Sequence, residues 1–281
     1  MLELTALNSL ALLGFGAAIG LLGSALGVGG GIFMVPFLVL VFDLPIHQAV
    51  AASLAAIVAT SSAVAAVNVE RGLANIRLGI ALEVTTALGS VAGALLANRL
   101  SGTAVQFLFG LTLLPVSVLM FLKGRRALRH GPAASGARTA KSSAFDSAFF
   151  DPAAGGHTNY AVRNMAPASG ISFFAGSLSG LLGIGGGVVQ VPVMNLLCGV
   201  PMKAAAATSN FIIGVSAAAS AFVYFRRGLM PLELTGVIVT GVLLGSFLGI
   251  HVLYKARSEK LQIIFSALTL LVGLKMLFGV L

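Results

Sequence analysis

The chain has 281 residues, of which 58% are hydrophobic and only 9% charged, and its mean hydropathy is +1.03. Soluble domains usually carry about 25% charged residues, so there is too little polar surface here to face water, which excludes a soluble enzyme or binding module. The net charge of +9 does not mark a nucleic-acid binder, because seven of the 17 basic residues fall between Lys123 and Arg163 and nearly all the rest flank apolar blocks, the pattern that orients membrane insertion.

In chain order, "MLELTALN" lacks a basic n-region and a small-residue cleavage site, so the first span is expected to be retained. It runs into "GSALGVGGGIFMVPFLV", Gly23 to Val39, where three consecutive glycines interrupt the apolar run. A short apolar stretch, Ile32–Phe42, follows, then a turn on Asp43-Leu44-Pro45 and three long blocks, Ile46–Val67, Leu78–Ala97 and Val105–Leu122. Blocks of this length cross a hydrocarbon core of about 30 Å as helices. Nothing in them alternates as β-barrel strands would.

A polar stretch separates this half from the next. Residues 124–166 are rich in basic residues, Ser, Gly and Ala, cannot span a bilayer, and are expected in the cytoplasm. Their "AFDSAFFD" core, Ala144 to Asp151, reads either as solvated loop or as a segment that packs back on the helix ends. Then the opening plan returns. "SGLLGIGGGVVQVPVMN", Ser179 to Asn195, is followed by a short run, Val188–Cys198, a turn on Gly199-Val200-Pro201, and the blocks Ala204–Phe225, Leu234–Leu253 and Leu261–Leu281.

One constant shift relates the two parts. Pro192 minus Pro36 is 156, and the same shift carries Gly29-Gly30-Gly31 onto Gly185-Gly186-Gly187, Ser53 onto Ser209, Arg71-Gly72-Leu73 onto Arg227-Gly228-Leu229, and Gly89-Ser90 onto Gly245-Ser246. The expected fold is an all-α polytopic membrane protein with two homologous repeats of about four helical elements each. Residues 7–123 form the N-terminal transmembrane repeat, 124–166 the linker, and 167–281 the C-terminal transmembrane repeat. The first helix of each repeat is either broken at its glycines, which makes the repeats parallel, or re-entrant, which makes them inverted. Arg226 and Arg227 favour the first arrangement; Lys255, Arg257 and Lys260 favour the second.

The glycine runs are not nucleotide loops, since Ile32-Phe33 and Val188-Val189 stand where a phosphate loop needs Gly-Lys-Ser/Thr. Interrupted helices free backbone groups that hydrocarbon does not tolerate unless protein or a wet cavity surrounds them. The short helix beyond each break starts with unpaired N–H groups and a positive dipole end, which suits an anion. Paired breaks in two halves point to a transporter's binding site. The alternative is that the glycines only let helices pack closely, a reading that fits Gly14, Gly16, Gly20, Gly23, Gly89 and Gly93. The candidate substrate-binding set is Gly29, Gly30, Gly31 and Ser53 in the first half and Gly185, Gly186, Gly187, Gln190, Asn195, Thr208, Ser209 and Asn210 in the second. Glu83, an intramembrane carboxyl, is a candidate for coupling to protons; otherwise it pairs with Arg77 or lies hydrated at the interface. No metal site or cofactor is expected. The four histidines, His47, His130, His157 and His251, lie far apart, and no nucleophile–base pair suggests an enzyme. The sole cysteine, Cys198, excludes an internal disulfide.

The stretches "GVGGGIFMVPFL", "GIGGGVVQVPVMN", "GVPMKAAAATSNF" and the later "RRG" resemble the TauE/SafE sulfite exporter family of membrane transporters. The resemblance covers both halves outside the linker and is fuller in the second, since "AVAASL" replaces Ala-Thr-Ser in the first. It implies a multi-pass protein of the cell inner membrane that moves a small anion, such as sulfite, a sulfonate or another organic anion; with the paired glycine breaks as its site, the chain is expected to be a secondary transporter, an exporter, that works by alternating access. A membrane scaffold or sensor is the alternative, ahead of a membrane-embedded enzyme. The expected partners are the anionic substrate, the lipid bilayer and a second copy of the chain in a homodimer, with no nucleic acid.

Overall fold

A computed structural model describes residues 6–97, 99–130, 144–151, 155–255 and 258–278. The first helices are α1 (Ala6–Leu26), α2 (Gly31–Val41), α3 (Ile46–Glu70), α4 (Ile76–Ala97) and α5 (Gly102–His130). A hairpin of β1 (Ser147–Asp151) and β2 (Gly156–Tyr160) follows, then α6 (Met165–Leu182), α7 (Gly187–Pro192), α8 (Met202–Arg226), α9 (Leu232–Lys255) and α10 (Ser258–Phe278). A π-helical turn, Val193–Leu197, extends α7. The fold is all-α and polytopic: among the described residues, seven helices are long and apolar enough to cross a bilayer. Helices suit this solvent because they satisfy their own amides. Their outward faces are aliphatic, as with Ile80, Val84 and Leu88 of α4 and Leu244, Phe247 and Leu248 of α9. Their hydroxyls turn back on their own backbone; Thr86 Oγ1, for example, donates to Leu82 O at 2.8 Å.

Hydrogen bonds between loops fix the direction of each helix. Asn75, between α3 and α4, bonds to the β-hairpin and to Thr208 near the start of α8. Lys203, at that same start, donates to Tyr254 O near the end of α9 (3.1 Å). These contacts define a hairpin end of the bundle. At the opposite end, a ring nitrogen of His47 at the start of α3 lies 3.1 Å from Ala97 O at the end of α4. The first turns of α1 and α9 also share a groove there, lined by Ser9, Leu10, Leu13, Glu233 and Gly236. Helices α1 and α6 therefore begin at opposite ends. The shift of 156 residues that aligns the glycine runs also relates the first residues of these helices: Gly31 to Gly187, Ile46 to Met202, Ile76 to Leu232, and Gly102 to Ser258.

The helices pair across the two sets. Helix α1 packs along α9, α4 along α6, α5 along α10 and α3 along α8. The first two pairs approach closely because small residues line both sides. A Cβ added at Gly89 or Gly93 of α4 would strike the backbone of Phe173 or Ser177 on α6, and one at Gly241 or Gly245 of α9 would strike Leu13 or Ala17 on α1. Serines then bond from helix to helix: Ser24 Oγ donates to Ser246 O at 3.2 Å, and Ser220 Oγ to Ser90 O at 3.0 Å. The packing reading therefore holds for Gly16, Gly20, Gly89 and Gly93. It does not hold for Gly14, which has open space, and Gly23 faces the Gly30 amide instead of another span. Gly93→Ala is expected to lower stability by about 1–3 kcal/mol through overpacking, whereas Gly14→Ala is neutral or stabilising by up to about 1 kcal/mol. Thermal unfolding of both variants in detergent checks this contrast.

Candidate functional site

Both glycine breaks are re-entrant. In the second, the chain descends α6, turns at Gly183–Gly186 and returns along α7. Leu197 and Cys198 then lie beside the start of α6, where Arg163 N–H donates to Cys198 O (3.2 Å) and Asn164 Nδ2 to Leu197 O (3.1 Å). In the first, Gly30 comes back beside Ile19, and the Phe15 ring of α1 stacks on Phe37 of α2. Only a backbone free to enter the left-handed region turns this tightly. Gly27, Gly29 and Gly30 have φ of +75°, +68° and +85°, and their counterparts Gly183, Gly185 and Gly186 have +70°, +78° and +65°.

The two turns cross each other inside the bundle. The Cα of Gly31 faces Gly183 O, and the Cα of Gly187 faces Gly27 O. Gly31 and Gly187 thus serve close approach, while the glycines before them serve the turn. Ile57 of α3 and Ile213 of α8 close over Gly29. All ten residues Gly27–Gly31 and Gly183–Gly187 are buried. Part of the freed backbone is satisfied locally: Val28 N–H donates to Gly23 O (3.0 Å), Gly183 N–H to Ser179 O (2.8 Å), and Gly187 N–H to Gly185 O (2.7 Å). Ser53 Oγ donates to Gly183 O at 2.8 Å and so ties α3 to the other set's break.

The polar residues predicted from sequence divide into three groups. Gln190 bridges two helices, its Nε2 donating to Thr86 Oγ1 of α4 (2.7 Å) and its Oε1 accepting from Ser172 Oγ of α6 (3.2 Å). Asn195 is remote from the crossing and holds the turn after α7, its Nδ2 donating to Val200 O at 2.8 Å. Ser209 and Asn210 stand at the crossing itself. Ser209 Oγ lies 3.1 Å from the point where a side chain on Gly187 would begin and has no hydrogen-bond partner. Asn210 Nδ2 donates to Ser24 O (3.3 Å), but its Oδ1 is unpartnered. Ser179, which the sequence reading did not single out, joins them: its buried hydroxyl is unpartnered and lies 3.6 Å from the same point on Gly186. The signal for it was present, because the shift of 156 sets Ser179 against Gly23, a polar residue in place of a hydrogen.

Thr208 connects this centre to the hairpin end. Its Oγ1 accepts from Asn75 N–H at 2.9 Å. The Asn75 side chain caps α4 by accepting from Leu78 N–H (3.1 Å) and donates to Phe145 O (2.8 Å) and the Tyr160 hydroxyl (3.3 Å). The hairpin carries Phe149, Tyr160 and Val162 into the bundle, each buried, and Asp146 Oδ1 accepts from Val162 N–H to close its base (2.9 Å). Burial raises the Tyr160 pKa above the ordinary tyrosine range, partly offset by hydrogen bonds to Asn75 and Ser147. Glu83 lies on α4 between Gly79 and Thr86; both its oxygens are buried without a partner, so it forms no pair with Arg77. Among the described residues no cluster of His, Cys, Asp or Glu could hold a metal ion.

A bundle of inward polar groups, outward aliphatic faces and paired re-entrant breaks belongs to the class of multi-pass membrane transporters. The chain is a member of the TauE/SafE sulfite exporter family, whose sequence profile matches residues 12–276. It is 26% identical over 270 residues to the probable membrane transporter protein YunE of Bacillus subtilis, covering 94% of this chain and 95% of that protein. It is 24% identical over 277 residues to the probable membrane transporter protein MJ0441 of Methanocaldococcus jannaschii, covering 93% and 92%. A segment of 89 residues is 36% identical to sulfite exporter TauE/SafE family protein 5 of Arabidopsis thaliana, covering 32% of this chain and 20% of that protein. No solved structure matches this chain. The family is one of transporters, not enzymes.

Asn75→Ala removes three side-chain hydrogen bonds, one of them the cap of α4, and is expected to cost about 2 kcal/mol. Amide hydrogen exchange over Ser147–Tyr160 should accelerate in the variant. Unchanged protection there would mean that the hairpin docks without Asn75.

Proposed function

We propose that the chain is a secondary transporter, working as an exporter, of a small anion such as sulfite, a sulfonate or another organic anion, with its site at the crossing of the two breaks. The observation that carries this reading is the pair of unpartnered hydroxyls beside the crossing, Ser179 Oγ and Ser209 Oγ, both buried. Buried polar groups normally have partners, and exceptions call for an explanation such as an absent water or ligand. Two hydroxyls beside glycines that carry no side chain suit an oxyanion, which accepts hydrogen bonds and needs close access. In the closed arrangement described here the two breaks fill each other's space. Transport requires them to part, and the anion then takes the amides and hydroxyls that each turn leaves open.

The two helix sets, alike in spacing and opposite in direction, support reading them as inverted repeats that rock about the crossing. At the hairpin end, the Asn75–Thr208 link and the docked hairpin close the route. Arg71, Arg77, Arg125, Arg163, Lys203 and Lys255 lie at that end, against Arg99, Arg226, Arg227 and Lys275 at the other. The excess of basic residues favours the hairpin end as cytoplasmic, in the inner membrane of a bacterial-type cell.

Uptake and efflux of radiolabelled sulfite, sulfonates and carboxylates by proteoliposomes test the proposal. Hydrogen bonds to charged groups contribute about 1.5–3 kcal/mol each, so Ser179→Ala and Ser209→Ala should each lower flux about 10- to 100-fold. Because Ser209 Oγ bonds to nothing in the closed form, Ser209→Ala should leave thermal stability unchanged. Flux unaltered by either change would remove these residues from the site.

A further inference from the structure

Glu83 of α4 is 9% exposed, and both its carboxyl oxygens are buried without a hydrogen-bond partner. Ile80, Val84 and Leu88 take the outward face of this helix. The inward stripe runs Gly79, Glu83, Thr86, Ser90. Gly79 packs on Phe211 and Thr208 of α8, Thr86 Oγ1 accepts the Gln190 amide of α7, and Ser90 Oγ donates to Ser216 O of α8 (2.6 Å). Glu83 thus sits in the wedge between α4, α7 and α8. One turn before Gln190 on α7 stands Gly187, which faces the unpartnered Ser209 hydroxyl, so the wedge adjoins the crossing of the breaks.

No charge compensates this carboxyl. Arg77, on the same helix, is exposed. Helices α6 and α7 contain no titratable residue. Those of α8 are Lys203, whose Nζ is on Tyr254 O; Tyr224, whose hydroxyl is on Gly180 O; and Arg226, exposed at the far end. No metal-holding cluster lies beside it among the described residues. An unpaired carboxylate is too costly to enclose in this medium, so the bundle closes over Glu83 only in its protonated form, whether or not an anion is aboard. The proton therefore travels in both directions, and a full cycle moves none. Its effect is on hydrogen bonding: a carboxylate only accepts, whereas a carboxylic acid has one O–H to donate. In the closed form that donor has no acceptor, an exception among buried groups that calls for a ligand.

We propose that Glu83 is a substrate-binding residue, held as a neutral acid in every closed state, whose O–H donates to an oxygen of the anion. This rests on the anion reading above and adds a third donor to the Ser179 and Ser209 hydroxyls. The anion then crosses with its charge uncompensated by a proton, and an inside-negative membrane potential drives it outward. The shift of 156 residues places Val239 at the matching position of the other helix set, so this donor comes from one side of the site alone.

Proteoliposomes of the full chain test this by exchange of radiolabelled methanesulfonate at equal pH on both sides, since that anion does not itself titrate. Glu83→Gln keeps a donor of similar shape and should exchange close to the wild-type rate. Glu83→Leu fills the space without a donor and should lower exchange about 10- to 100-fold. Its thermal stability should be unchanged or raised, because an unsatisfied polar group is lost. Wild-type exchange in Glu83→Leu, or equal loss in Glu83→Gln and Glu83→Leu, would overturn the assignment and leave the anion reading intact. With the membrane potential clamped at zero, a pH gradient should accumulate no methanesulfonate; accumulation would show a proton moved in each cycle and overturn it too. Wild-type protein should also show the infrared carbonyl band of a protonated carboxylic acid, absent in Glu83→Gln, that moves to lower frequency when methanesulfonate or sulfite is added. Absence of that band, or a band that an exchanging anion leaves in place, would contradict the assignment. No exchange of methanesulfonate or sulfite by the wild type would count against the anion reading itself, and the assignment would fall with it.

Discussion

Two interrupted helices meet at the centre of this bundle, and the surrounding hydrocarbon permits it because each interruption buries its open backbone against the other. Amides and carbonyls released from helical pairing cost several kcal/mol apiece in lipid, and neither turn could stand alone there. Gly31 against the Gly183 carbonyl and Gly187 against the Gly27 carbonyl leave no room for a Cβ. The direction of every other element follows. A re-entrant turn returns the chain to the end it came from, so an odd number of full spans remains in each set, and the second set enters from the side opposite to the first.

The two sets share spacing but differ in chemistry, and the difference bears on function. Where one has Gly23, Ala52 and Leu54, the other has Ser179, Thr208 and Asn210. Where one has Asn68, buried with both side-chain ends unpartnered, the other has Tyr224, whose hydroxyl donates to Gly180 O at 3.1 Å. The polar groups near the crossing thus come mainly from the second set, and the β-hairpin closes only one end. The two sets are thus matched in spacing and unmatched in side chains.

Much of the backbone was legible from sequence because its signals are local. The six long apolar blocks correspond to α3, α4, α5, α8, α9 and α10, and the short runs after the glycines correspond to α2 and α7 with its π-helical turn. The choice between a broken and a re-entrant helix was not legible, since Arg226 and Lys255 pull the charge argument in opposite directions; contacts between Arg163 and Cys198 and between Phe15 and Phe37 decide it. The sequence reading also expected the glycine amides to stand open. In the closed form Gly31 and Gly187 pack against the facing break, while Gly29, Gly30, Gly185 and Gly186 make the turns, so the smallness of the glycines serves the crossing and its tight turns first. Asn75 and Tyr160 escaped notice because their partners are 70 to 133 residues away in the chain, beyond the reach of any periodicity. Asn195 was drawn into the site by its place on the short helix, although its side chain bonds to the turn at Val200.

The central claim is that the crossing opens to water and admits an anion. It is tested most directly by a Ser209→Cys variant in a Cys198→Ser background, labelled with a membrane-impermeant thiol reagent from each face of sealed vesicles. Parting of the breaks predicts slow labelling from at least one face and protection when sulfite is present. A thiol at that position that stays unreactive from both faces, with or without sulfite, would contradict the account and leave the glycine crossing as permanent packing.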